Sequence, residues 1–303
     1  MYEQIATKLN LGQTIILDGG TGTDIQNRGA PMSGETWCAE VNLTHPHIVR
    51  AVHDDYIAAG AEVITANTFA TSALLFNALG RDDDLIEIDR TAVAMAKEAA
   101  KDKGVAVAGS MSTMRPLQAA SDRTNLSREW PQAEARRLFR RKADGLAAAG
   151  ADLIMMEMMR DGDYAVWASE AAMQTGLPVW IGISAERRDD GALTGFGRPD
   201  WLLHEFAPRL AALNPAVITI MHTSPNDTGE ALEIVRKTWQ GPLGAYPECG
   251  YFKMPDWQFI NVISPDDLVI RSQEWRGAGA TIFGGCCGIG PDHIRALSLA
   301  LRA

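Results

Sequence analysis

The sequence predicts an α/β chain folded as a (β/α)8 TIM barrel, one domain over residues 1–303, and three observations point there. Its 303 residues suffice for an eight-unit barrel, which needs about 250. Eight short apolar runs alternate with amphipathic stretches. A small-residue phrase marks the joint between them three times: Ala58-Ala59-Gly60-Ala61-Glu62-Val63-Ile64, Ala148-Ala149-Gly150-Ala151-Asp152-Leu153-Ile154 and Gly277-Ala278-Gly279-Ala280-Thr281-Ile282. In each, a helical pattern ends at a Gly able to take the left-handed conformation, and a strand pattern begins at once.

Taken in order, strands are expected at residues 14–17, 62–66, 105–109, 152–156, 179–183, 216–220, 243–246 and 281–283. They are nearly continuous apolar segments, as strands covered on both faces should be. Helices are expected at 48–59, 84–101, 131–148, 164–174, 200–213, 229–239, 265–275 and 291–301. Eight alternations favour a closed barrel over an open doubly wound sheet. The open sheet is further disfavoured because Gly19-Gly20-Thr21-Gly22 lacks the third glycine of a dinucleotide fingerprint and is not immediately followed by a strong helical pattern. The longer irregular stretches, 26–44 and 249–264, read as βα loops over the active face.

A net charge of −10 argues against a nucleic-acid partner, because phosphate binding needs clustered cations. The densest basic run, Arg136, Arg137, Arg140, Arg141 and Lys142, has helical spacing and reads as a solvated helix face. No run of 18 uncharged apolar residues occurs and residues 1–10 lack a signal pattern, so a cytoplasmic protein without a membrane partner is expected. The sequence leaves room for a homo-oligomer without specifying one.

Function in such barrels gathers at the C-terminal strand ends. The residues just past the apolar runs are Asp18, Asn67 with Thr68, Ser110, Glu157, Ser184, His222, Glu248, and Cys286 with Cys287. The sharpest signal is Gly284-Gly285-Cys286-Cys287-Gly288. Adjacent cysteines cannot form an ordinary unstrained disulfide, and both reach one metal only if the backbone bends between them, which flanking glycines permit. Zinc takes thiolate and imidazole ligands in a tetrahedral array, which makes Zn2+ the expected cofactor; two cysteines acting as small buried hydrophobes are the alternative. Asp18-Gly19-Gly20-Thr21 offers a carboxylate and backbone N–H groups suited to an amino acid, or a capped tight turn. Glu157, if buried at a barrel mouth, would demand a cationic partner; a surface Glu is the alternative.

These residues resemble the homocysteine S-methyltransferase family, which includes betaine-homocysteine methyltransferase and the homocysteine-binding module of methionine synthase. The resemblance runs from Ile16-Leu17-Asp18-Gly19-Gly20-Thr21-Gly22 through Val41-Asn42-Leu43-Thr44-His45-Pro46, Gly60 to Phe69, Glu157 and Tyr246-Pro247 to Gly284–Gly288. It implies that zinc binds the homocysteine sulfur, that Asp18 and Glu157 hold the amino group, and that the substrates are small molecules, a thiol acceptor and a methylated onium donor. Asn67, Ser110 and Glu248 are the further candidate substrate contacts.

Three departures stand out. The family's first zinc cysteine lies in a Gly-x-Asn-Cys element after strand six, where this chain has Thr219-Ile220-Met221-His222. Either His222 supplies an imidazole, the favoured reading because it occupies the matching position, or Cys249 swings in as a third sulfur. Glu248 stands where relatives usually carry Asn, and Ser110 to Pro116 lacks an expected glycine. The expected reaction is methyl transfer from a small sulfonium or quaternary ammonium donor to homocysteine, giving methionine. Two alternatives are carboxylate acid–base chemistry on another small molecule through Asp18 and Glu157, and a non-catalytic thiol or amino-acid sensor. Trp37, Trp130 and Trp257 are candidates for a wall against a methylated cation, with core packing as the alternative.

Overall fold

Eight parallel strands close on one another around a packed interior. The computed structural model describes residues 1–118, 125, 127–253, 256–258 and 261–302. The barrel strands are β1 (Ile15–Ile16), β2 (Val63–Ala66), β3 (Ala106–Ser112), β4 (Leu153–Met159), β5 (Val179–Ile183), β6 (Val217–Met221), β7 (Leu243–Tyr246) and β8 (Ile282–Phe283). Hydrogen bonding joins them in the order β1-β8-β7-β6-β5-β4-β3-β2. A parallel bridge between Leu17 and Val63 joins the two ends of that order, with Asp18 N donating to Val63 O at 3.1 Å and Glu62 N to Ile16 O at 2.7 Å.

Strand parity explains the unbroken apolar runs. Ile15, Leu17, Val63, Ala106, Ala108, Leu153, Met155, Val217, Met221, Tyr246 and Ile282 fill the barrel interior. Their neighbours Ile16, Ile64, Val107, Ile154, Met156, Ile218 and Phe283 point outward under the helices. Both faces of every strand are therefore buried. Trp180 plugs the floor, its Nε1 donating to Tyr2 Oη at 3.0 Å from an N-terminal helix, Tyr2–Asn10, that the sequence reading leaves out.

The outer helices are α1 (Pro46–Ala59), α2 (Asp84–Ala100), α3 (Gln132–Ala148), α4 (Tyr164–Met173), α5 (Leu203–Ala211), α6 (Pro225–Arg236), α7 (Pro265–Gly277) and α8 (Pro291–Leu301). Pro starts α1, α6, α7 and α8, where its missing N–H costs nothing. Ser224 and Ser264 cap α6 and α7 through their side chains. The three joint glycines take the expected left-handed conformation, with φ of 107° at Gly60, 94° at Gly150 and 93° at Gly279.

Four expectations need correction. A short helix, Thr21–Asn27, does follow the glycine turn after β1. The helix expected from residue 200 begins at Leu203, because Arg198–Leu202 is the last strand of an antiparallel meander with Ala185–Arg187 and Leu193–Gly195. The stretch 249–264 contains an antiparallel pair, Tyr251–Lys253 with Asp256–Gln258. The basic run is a solvated, ion-paired face except at Lys142, which is buried and paired with Asp89 at 2.7 Å. Lys142 also donates to Thr68 O at 3.1 Å and so holds the loop after β2 from beneath. No helix among the described residues is long and apolar enough to cross a membrane.

One helix carries a polar group that the fold does not satisfy. His53 of α1 is fully buried, and neither ring nitrogen has a hydrogen-bond partner among the described residues. Burial lowers its pKa from 6.5 to about 4, so the folded state holds it neutral. The stability this linkage leaves intact above the unfolded-state pKa is lost as pH falls toward the folded value. His53→Leu removes the orphaned N–H, an effect of about 1–3 kcal/mol. The variant is expected to melt a few degrees higher at neutral pH and to gain more near pH 5. Scanning calorimetry at both pH values checks this, and a variant melting at or below the parent in both would overturn it.

Candidate functional site

The C-terminal ends of the strands surround a cavity of about 1000 Å³. At its base the turn after β8 carries Cys286 and Cys287. Close packing sets that turn: a Cβ on Gly284 would lie 2.6 Å from Leu17 Cβ, and one on Gly285 would lie 2.1 Å from Ile289 Cγ2. Gly285 N donates to Asp18 O at 3.1 Å, Cys286 N to Pro247 O at 2.8 Å and Cys249 N to Cys287 O at 2.7 Å. Anchored to the loops on either side, with Gly288 at φ 83°, the backbone bends and brings both sulfurs together at 3.9 Å.

His222, the residue after β6, completes a trio. Its backbone is left-handed, φ 43°, a conformation that costs a non-glycine residue about 1–3 kcal/mol. It turns Nδ1 to 3.5 Å from Cys286 Sγ. Three ligand atoms, one each from His222, Cys286 and Cys287, lie within 4.8 Å of one another, and among the described residues no other group of three such side chains converges in this way. Bonds of about 2.3 Å to sulfur and 2.0–2.1 Å to nitrogen in a tetrahedral array give edges of about 3.8 Å between sulfurs and 3.6 Å between sulfur and nitrogen. Two of the three edges, 3.9 and 3.5 Å, fit that array and the third lies within 4.8 Å, so the donor set suits zinc. The hydrogen bond shared with Cys287, and then His222 beside it, holds the Cys286 thiol well below the usual thiol range. The same contact pushes Cys287 up.

Two carboxyl groups face this trio, Asp18 buried and Glu157 half-buried. Asp18, after β1, accepts from Thr65 N at 2.6 Å and Thr65 Oγ1 at 3.1 Å. Burial nevertheless raises its pKa to about 7. Glu157, near the end of β4, accepts from the Ser110 hydroxyl and from Tyr246 Oη at 3.5 Å. Burial, reinforced by the charge on Cys286, raises it to about 8. The cationic partner expected for a buried Glu157 is not there: no cationic side chain among the described residues pairs with it. An incoming ammonium ion would find two carboxyl groups ready to ionise against it.

Of the other expected residues, Gly19, Gly20, Thr21, Asn67 and Trp37 line the cavity, while Glu248, Cys249 and Trp130 lie outside its wall. The N–H groups of Gly20 and Thr21 are engaged by Ile289 O and Gly19 O, both at 2.9 Å, so they are not exposed as the sequence suggests. Gly19 and Gly20 serve close packing, since a Cβ on either would collide with Ile289 O or Cys286 O. The Thr21 hydroxyl lines the cavity and is buried with no partner among the described residues. Asn67 is taken up by Cys38 and Asn42, each at 3.1 Å, and pins the loop before α1 to the end of β2. Glu248 is not part of the cavity lining; its Oε2 lies 3.3 Å from His222 Nε2. Cys249 stays outside the trio, buried, its thiol hydrogen-bonded to the Ile263 backbone and raised to about 11 by burial. Trp37 lines the cavity, whereas Trp130 is core, donating to Asn77 at 2.7 Å. The side chain of Trp257, and much of the 252–255 loop, lie outside the described residues.

The sequence reading missed Thr65, Tyr246 and Phe196. Strand parity was a usable signal for the first, because an inward Val63 places Thr65 inward beside Asp18. For Phe196 no signal existed, since the meander that carries it was not foreseen; its ring meets His222 edge-on at 4.8 Å between centroids.

With the geometry in view, a family profile and the relatives by sequence agree on one group. A profile of the family described as homocysteine S-methyltransferase matches residues 15–301. Homocysteine S-methyltransferase 4 of Zea mays is 29% identical, over 96% of this chain and 90% of that protein. Betaine–homocysteine S-methyltransferase 1 of Rattus norvegicus is 25% identical, over 97% of this chain and 74% of its own length. The metallated homocysteine methyltransferase MmuM from Escherichia coli superposes with a TM-score of 0.76 at 22% identity, covering 98% of this chain and 99% of that one, a likeness of fold.

Proposed function

The chain belongs to the homocysteine S-methyltransferase family, and from that premise we propose that it is a zinc-dependent enzyme moving a methyl group from a small sulfonium or quaternary ammonium donor to homocysteine, giving methionine. The observation that carries this reading is the convergence of His222, Cys286 and Cys287, whose ligand atoms lie within 4.8 Å of one another, beside two carboxyl groups with raised pKa values. His222, Cys286 and Cys287 would hold the metal. Zinc, when bound, supplies a Lewis acid that keeps the acceptor thiol deprotonated and nucleophilic near neutral pH.

The chain's own residues do the rest. Asp18 and Glu157 receive the acceptor's ammonium group, give up their protons to solvent as it arrives, and thereby hold the amino acid by its polar end. Thr65, Ser110 and Tyr246 fix the two carboxyl groups in place. Met155, Met221 and Phe196 line the cavity with apolar surface and displace water from the reacting groups. Transfer neutralises the donor cation against the thiolate, and a fixed, poorly solvated alignment favours that step. A cytoplasmic, reducing setting suits free thiols of this kind.

A methyl-transfer assay with homocysteine and a panel of methylated sulfonium and ammonium donors tests the proposal. Methionine is expected with at least one donor, activity is expected to vanish on chelation, and added zinc is expected to restore it. Turnover untouched after the protein has been stripped of metal would favour acid–base chemistry at Asp18 and Glu157. Reversible oxidation of the thiols with no turnover would favour a sensor.

A further inference from the structure

Glu248 lies two residues beyond β7, and its backbone N–H donates to Thr223 O at 3.3 Å, which lays this loop against the one that carries His222. Its carboxylate meets the nitrogen of His222 that faces away from the sulfurs: Oε2 lies 3.3 Å from Nε2, while Nδ1 faces Cys286. Glu248 is therefore absent from the cavity lining, with its carboxylate behind the imidazole. Phe196 packs edge-on against the same ring, and Ser184 Oγ donates to His222 O at 2.9 Å.

We propose that Glu248 is a positioning residue for the metal, acting through His222 and not on the substrate. The inference rests on the zinc reading of the site. A neutral imidazole has one N–H and one lone pair, and the group that accepts the N–H decides which nitrogen is left to coordinate. By accepting from Nε2, Glu248 leaves the Nδ1 lone pair directed into the sulfur pair and holds the ring there. Its negative charge makes the imidazole a stronger donor and supplements the two thiolates around a divalent ion.

Competition with a chromophoric chelator measures zinc affinity in the parent, in Glu248→Gln and Glu248→Ala, and in each combined with His222→Gly. Glu248→Ala is expected to weaken zinc by about 10–100-fold. Glu248→Gln keeps an acceptor but loses the charge and is expected to fall between. Melting of the metal-free proteins checks that the fold is intact. Cobalt substitution adds a spectral test, with a shifted visible band expected in Glu248→Ala. The decisive arm is the double variant: if Glu248 works through the imidazole, its removal costs nothing once His222 is gone. Affinity of Glu248→Ala within about threefold of the parent overturns the inference, as does an undiminished loss in the His222→Gly background. A parent protein that takes up no zinc overturns the metal reading and this inference together.

Discussion

His222→Gly is expected to yield a folded protein that purifies without zinc, binds added zinc only weakly, and has lost on the order of a thousandfold or more of its methyl-transfer rate, whereas His222→Cys retains metal. Glycine is the informative replacement because position 222 is left-handed, at φ 43°, so it relieves backbone strain that Ala would keep. A loss of activity then cannot be blamed on a strained backbone. Two thiolates alone leave a tetrahedral ion half-coordinated, and an acceptor thiol without its anchor loses both its ionisation and its alignment. A thiolate at 222 restores a three-ligand set, and its longer bond to zinc makes up part of its shorter side chain. Metal analysis by mass spectrometry and the transfer assay read both variants. A His222→Gly protein that still carries about one zinc per chain would remove His222 from the site.

The same residue shows what a sequence can disclose and what it cannot. Eight units, the glycine joints and the mouth residues were legible because each rests on local periodicity or on a turn that only certain residues allow. The vicinal cysteines were legible because few structures need that pair framed by glycines. His222 and Glu248 appeared as separate residues past two strands and as separate departures from a family pattern, never as a pair. Their contact at 3.3 Å depends on the loops after β6 and β7 lying side by side, a consequence of the pairing of those two strands and of side-chain orientations that no local pattern encodes. The misreadings have the same origin. Glu248 was assigned to substrate because it comes just after a strand, yet it faces an imidazole; Asn67 does line the cavity, and its side chain also ties down a loop. The short meander 185–202 escaped because its three strands are too brief for periodicity to show.

Glu157→Gln is expected to cost activity while making the empty protein more stable, and the opposition of the two effects is the test. Burial without a cation raises Glu157 to about 8 and Asp18 to about 7, both above their ordinary values. A carboxyl group raised in the folded state favours folding by its neutral form: that contribution is complete below the unfolded-state pKa and is lost as pH rises through the folded value. The metal-free, substrate-free parent should therefore lose stability between about pH 4 and pH 8, and Glu157→Gln or Asp18→Asn should recover on the order of 1–3 kcal/mol near pH 9 and little near pH 4. The carboxylate that destabilises the empty site is the one that would neutralise a substrate ammonium. Loss of such a buried charge pair costs about 2–4 kcal/mol, a factor of roughly 30 to 1000 in kcat/KM, felt mainly in KM. An acceptor lacking the amino group separates binding from folding. The parent should discriminate against mercaptobutanoate strongly, and Glu157→Gln should discriminate little. If the variant keeps the parent's preference for the amino acid, or is no more stable than the parent at alkaline pH, Glu157 is not holding an ammonium group, and the raised carboxyl pair would instead belong to acid–base chemistry.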